Sequence, residues 1–155
     1  MIEYVKEKIK DLFPENYALP EGVLRHGDDV EELSGSEYLD ESNEFDKLFS
    51  LLREEKKRGS YTIAIISKDK NDADRLFKKI SKFEDKLNSA IYNYNSDNFV
   101  EGVIFLDPVN AKGLEFDTVI ITDFSQEKYL NNFADAKSFY VAATRALHRL
   151  YIIKN

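Results

Sequence analysis

Residues 138–153 read SFYVAATRALHRLYII. Small and polar residues open the stretch. At about 100° per residue, Phe139, Ala142, Ala143, Ala146 and Leu150 fall on one side of a helix. Arg145 lies well off that face, with Val141 and His148 nearer to it. The apolar run Leu150, Tyr151, Ile152, Ile153 has β propensity. The reading is a helix that feeds a buried strand and holds one arginine at a fixed place near the surface. Taken alone, Arg145 reads more plainly as a solvated helix residue.

Upstream, residues 118–122 (TVIIT) and 100–106 (VEGVIFL) read as strands, and 61–67 (YTIAIIS) is a nearly continuous β-branched run. Such runs mark strands covered on both faces. Residues 71–83 are helical through Ala73, Leu76, Phe77 and Ile80, and 89–94 (SAIYNY) is a short strand candidate. Its tyrosines suit packing or a sheet edge better than base stacking. Residues 95–98 read as a turn, and 124–133 as an irregular polar-aromatic connection. From Ser42, a plausible cap, Phe45, Leu48, Phe49, Leu51 and Leu52 give an apolar helix face. That helix runs out in the charged stretch 53–58, a solvated end, before Gly59. Residues 1–13 are helical through Ile2, Val5, Ile9, Leu12 and Phe13, and Pro14 stops them. Residues 20–33, with Pro20, Gly22 and Gly27, read as a loop with short extended pieces, and 34–40 is weakly patterned. Asp28, Asp29, Glu31 and Glu32 lack the ligand spacing of a calcium loop and read as a solvated acidic loop. His26 stands alone and has no assigned role.

Strands alternating with helices imply an α/β fold, an open and mainly parallel sheet with helices on both faces, as one domain over 1–155. Ligands of such sheets sit at the carboxyl ends of the strands. That directs attention to the loop after Leu106 and the approach to the last helix.

Composition narrows the function. The chain has no cysteine, which excludes disulfides and thiolate metal sites. No apolar run approaches the roughly 20 residues of a membrane span, and no secretory h-region opens the chain. The expectation is a cytoplasmic protein away from membranes. Its net charge of −7 argues against a stand-alone, charge-driven nucleic-acid binder, so any such contact should be local.

Residues 107–117 (DPVNAKGLEFD) join two strands with unusual residue types. Gly113 permits a left-handed turn, Lys112 and Glu115 set opposite charges around it, and Leu114 and Phe116 can anchor the loop in the core. A lysine–glutamate pair dressing a glycine turn would account for this segment alone. AKGLEFD followed some twenty residues later by YVAATRAL, however, resembles motifs V and VI of the UvrD/Rep-type superfamily 1 DNA helicases, closest to the helicase IV-like branch. The specific likeness spans about 103–153. The unit at 61–83 fits loosely, and the first sixty residues fit only in general order.

The resemblance implies a RecA-like three-layer fold, the C-terminal motor domain of a longer helicase. In that family two such domains clamp ATP with Mg2+, the first carrying the phosphate loop and the magnesium motif. By that likeness Arg145 corresponds to the motif VI arginine finger, the catalytic residue. Lys112, Gly113, Glu115, Tyr140 and Thr144 make up the nucleotide-binding set. Glu115 matches the glutamate on the ribose side, while Tyr140 and Thr144 suit bracing the arginine better than touching ATP. No metal ligand is implied. Where many members carry a DNA-contacting histidine three residues before the motif V lysine, this chain has Val109. It also contains no G-x-x-x-x-G-K-[ST] loop and no strand ending in an Asp-Glu pair. The chain alone is therefore expected to be inactive. The implied partners are an N-terminal motor domain of the same protein and single-stranded DNA, with RNA polymerase or repair proteins as further candidates. Two other readings stand beside this one, a protein-interaction module with a vestigial nucleotide site and a stand-alone flavodoxin-like nucleotide binder. The latter lacks a glycine-rich cradle after a strand.

Overall fold

The computed structural model describes residues 2–13, 30–94 and 101–155. Its strands are β1 (Val30–Ser34), β2 (Thr62–Ile66), β3 (Ile91–Asn93), β4 (Gly102–Leu106), β5 (Phe116–Phe124) and β6 (Ala146–Lys154). The helices are α1 (Ile2–Ile9), α2 (Gly35–Tyr38), α3 (Asp46–Lys57), α4 (Lys70–Ser81), α5 (Pro108–Ala111), α6 (Gln126–Tyr129) and α7 (Phe133–Ala143). The strands form one six-stranded sheet in the order β1-β6-β5-β2-β4-β3, and every pairing is parallel.

The apolar runs behave as two-sided strands. Ile63 and Ile65, Val103 and Phe105, Ile120, and Tyr151 and Ile153 face one way, under Leu48, Phe49 and Leu52 of α3 and Ile80 of α4. Ala64 and Ile66, Ile104 and Leu106, Val119 and Ile121, and Leu150 and Ile152 face the other way. That face is covered by Val5 and Ile9 of α1, Ala111 of α5, and Ala136, Phe139, Ala142 and Ala143 of α7. Because each residue of a strand points opposite to its neighbour, an unbroken apolar run can serve both layers. The expected α/β architecture, with a parallel sheet between two helical layers, is the one observed.

Several local expectations change. The helix read from Ser42 starts later: Asp40 caps a 3-10 turn by accepting from Ser42 N at 3.1 Å. Glu44 and Phe45 then take left-handed backbones at φ 54° and 55° before α3 begins. Such conformations cost about 1–2 kcal/mol each for non-glycine residues. Burial of the Phe45 side chain, 2% exposed, offsets that. The acidic segment resolves in part, with Glu31 and Glu32 on the edge strand β1. Residues 34–40 contain α2. The supposedly irregular 124–133 contains α6, whose Tyr129 is fully buried. Tyr92 and Tyr94 pack against the core, as the packing reading expects. Pro14, Pro20, Gly22, Gly27, His26, Asp28, Asp29 and the turn at 95–98 lie outside the described residues. No described helix is long and apolar enough to cross a membrane.

The largest correction falls on the opening stretch. The helix ends at Ala143 and β6 begins at Ala146. Only Thr144 and Arg145 link them. Thr144 N donates to Tyr140 O at 3.0 Å and Arg145 N to Ala142 O at 3.2 Å, closing the last turn, while the Arg145 carbonyl accepts from Phe116 N at 2.9 Å. Arg145 thus belongs to the two-residue link rather than to the helix. Ala146 and Leu150 sit at helical offsets from Ala142 and Ala143, which disguised the break.

Candidate functional site

Arg145 precedes β6 and Glu115 precedes β5, two neighbouring parallel strands in which Phe116 pairs with Ala146. Both candidates therefore stand at the amino edge of the sheet, not at the carboxyl ends where ligands were expected. The carboxyl edge is occupied by other groups. Lys68 pairs with Asp135 at 2.8 Å and Lys128 with Asp72 at 2.8 Å, and Asp123 has a left-handed φ of 54°.

The Arg145 side chain is half-buried and held from three sides. Nε donates to Val141 O at 3.1 Å, Nη2 to Thr144 Oγ1 at 3.0 Å, and Nη1 makes a long contact to Leu114 O at 3.5 Å. Guanidinium has five N–H donors, so two remain for a ligand. Thr144 is 1% exposed and donates its own hydroxyl to Val141 O at 3.1 Å, which places it as a brace. Tyr140, 3% exposed, is buried beneath the same turn. Burial pulls the Arg145 guanidinium below its ordinary value, with Glu115 and Tyr140 acting in the opposite direction. Glu115 is therefore electrostatically close. Yet among the described residues no carboxylate lies within ion-pair distance of Arg145. A partly desolvated cation braced only by neutral oxygens favours an anion.

The 107–117 loop supplies the other wall. Gly113 has φ 85° with nothing within 4 Å of where a Cβ would stand, so its backbone angle, not space, calls for glycine. Lys112 and Glu115 are exposed on either side. Phe116 anchors the loop at 1% exposure, but Leu114 does not, being 38% exposed. Val109 is 79% exposed on the rim of an open groove of about 410 Å³ lined by Pro108, Lys112, Phe133, Lys137 and Val141. Among the described residues, no three Asp, Glu or His side chains stand close enough to hold a metal ion.

One functional-edge feature escaped the sequence reading. Glu55, within the stretch taken as a solvated helix end, is fully buried. It accepts from Arg149 Nε at 2.5 Å, Thr118 Oγ1 at 2.7 Å and Tyr151 Oη at 2.9 Å. Arg149 also donates to Ser60 Oγ at 2.9 Å, and Ser60 and Thr118 share a 2.7 Å bond. The signal was present: Leu48, Leu52 and Glu55 share one helix face by spacing, and Arg149 alternates with Tyr151 and Ile153. Burial raises the Glu55 pKa, but the bonds from Arg149, Thr118 and Tyr151 prevail and hold it below its ordinary 4.5. The folded protein thus takes up that proton less readily than the unfolded chain. The stabilisation is present above about pH 4.5 and is lost as pH falls through the folded value. Glu55→Gln is expected to flatten the acid limb of the stability–pH curve, measured by urea unfolding below about pH 5. An unaltered limb would rule this out.

The family model of the UvrD-like helicase C-terminal domain matches residues 103–153. Among solved structures, the C-terminal domain of a possible DNA helicase from Lactobacillus plantarum WCFS1 aligns over 99% of this chain and 82% of its own, with TM-score 0.65 and 21% identity. At that identity the likeness establishes the fold. No curated protein matches the chain. The stretch carrying both walls of the Arg145 site is thus similar to the UvrD-like helicase C-terminal domain, set on a fold shared with the C-terminal domain of a possible DNA helicase.

Proposed function

We propose that the chain acts as the second motor domain of an ATP-dependent DNA helicase of the helicase IV-like branch. In this reading Arg145 is a finger to ATP that is held, with its Mg2+, mainly by a separate N-terminal motor domain. The observation that carries it is the half-buried Arg145 guanidinium with no carboxylate in ion-pair reach, fixed by Val141 O and Thr144 Oγ1. Phosphoryl transfer spreads charge over the equatorial oxygens, and a guanidinium already in place stabilises that charge with little reorganisation. Glu115 stands beside it to accept from ribose hydroxyls, and Gly113 shapes the turn between Glu115 and Lys112. The groove flanked by Lys112 and Lys137 suits single-stranded DNA, with apolar walls for bases and ammonium groups for phosphates. Closure of the two domains on ATP and reopening after hydrolysis would step the protein along that strand.

The purified chain alone is expected to hydrolyse no ATP above background with magnesium, because it supplies a finger and not a phosphate cradle. Substantial magnesium-dependent turnover by the chain alone would overturn the proposal.

A further inference from the structure

We propose that Glu55 is a positioning residue for Arg145, acting through a β-bulge, an inference that rests on the function proposed above. Between the pairs Phe116–Ala146 and Thr118–Arg149, β5 advances two residues while β6 advances three. One extra residue is therefore stored in β6 between Ala146 and Arg149, just beyond the residue that follows Arg145. Bulges re-aim neighbouring side chains and are common beside active sites, but the stored residue must be kept from slipping.

Glu55 supplies the peg. Its Oε1 accepts from both Thr118 Oγ1 and Arg149 Nε, the two residues that form the first regular pair beyond the bulge. Ser60, just before β2, is tied into the same cluster: its amide donates to the Glu55 main-chain carbonyl at 3.0 Å, and its Oγ accepts from Arg149 and shares a bond with Thr118 Oγ1. On the near side of the bulge, Phe116 N holds the Arg145 carbonyl. The register of β5 against β6 is thus fixed on both sides of the extra residue, and with it the placement of Arg145 against Glu115. A carboxylate needed only for stability could be exchanged, with its partners, for apolar side chains of similar size, often without loss. A peg could not.

The test is the triple variant Glu55→Leu/Arg149→Met/Tyr151→Phe, with Glu55→Gln as a second variant should the triple fail to fold. In the chain itself, hydrogen exchange of the Phe116 amide is expected to speed at least about 10-fold relative to amides of β2, while the unfolding midpoint stays near wild type. In the full-length protein, kcat for ATP is expected to fall about 10- to 100-fold, as for small misplacements of a reacting group, with KM within about two-fold. Unchanged Phe116 exchange and unchanged kcat in a folded variant would overturn the inference. Arg145→Ala measured alongside separates the two ideas. If that variant turns over at the wild-type rate, the proposed function fails. If it is impaired while the triple variant is not, only the positioning role fails.

Discussion

Arg145→Ala in the full-length protein is expected to lower DNA-stimulated ATP turnover by about 10³-fold or more, the range for arginine fingers, while affinity for an ATP analogue changes little. The separation follows from where the guanidinium stands. It lies at the lip of the amino edge, and in the proposed motor the bulk of nucleotide affinity belongs to the other domain, so its contribution would be concentrated where charge develops. Arg145→Lys is expected to rescue poorly. An ammonium cannot hold Val141 O and Thr144 Oγ1 in the plane of a fork while offering further donors. Measuring analogue binding beside turnover decides between outcomes. Lost turnover with retained binding supports the motor reading. Unchanged turnover would make Arg145 a structural clasp between the end of α7 and the 107–117 loop, and the interaction-module reading would then lead.

Phe139→Ala is expected to cost the fold about 3–5 kcal/mol, the usual range for deleting a buried aromatic ring, read by urea unfolding of the chain. Phe139 is fully buried at the centre of an aromatic trio, 4.8 Å from the Phe124 ring and 5.7 Å from Tyr129. Phe124 ends β5 and Tyr129 ends α6, so the ring joins β5, α6 and α7. A residual cavity there cannot collapse easily, because Ala136, Ala142 and Ala143 on the same helix are already small and buried. A loss under about 1 kcal/mol would mean that α7 repacks freely, contrary to the tight contacts described. The effect should appear in stability first, since Phe139 lies on the helix body and not at the Arg145 turn.

The fold was largely legible because its signals were redundant. The apolar runs at 61–67 and 118–122 could only be two-sided strands, and helical periodicity between them required crossovers. Where a single pattern served two structures, the reading slipped. Ala146 and Leu150 satisfy helical spacing from Ala142 and Ala143, yet they belong to a strand whose later residues alone are β-branched. Ser42 offers good cap chemistry, but nothing in its neighbourhood signals that Glu44 and Phe45 would take left-handed backbones. The candidate residues were legible from the motif pair, but their edge of the sheet was not. Arg145 and Glu115 each directly precede a strand, and the carboxyl-end rule concerns the loops that follow strands. Glu55 was missed for a different reason: a run of charges was judged by composition instead of by helix face, on which it aligns with Leu48 and Leu52.

The two-residue link between α7 and β6 has a mechanical consequence. Thr144 N and the Arg145 carbonyl are both committed to backbone bonds, so the joint has no slack to pay out. In the proposed motor, a shift felt at the guanidinium passes to the helix and to an interior strand of the sheet as one body. Tension on that strand would return to a nucleotide at the guanidinium by the same route. A joint with so little play would suit a motor that must keep its strand and its nucleotide in step.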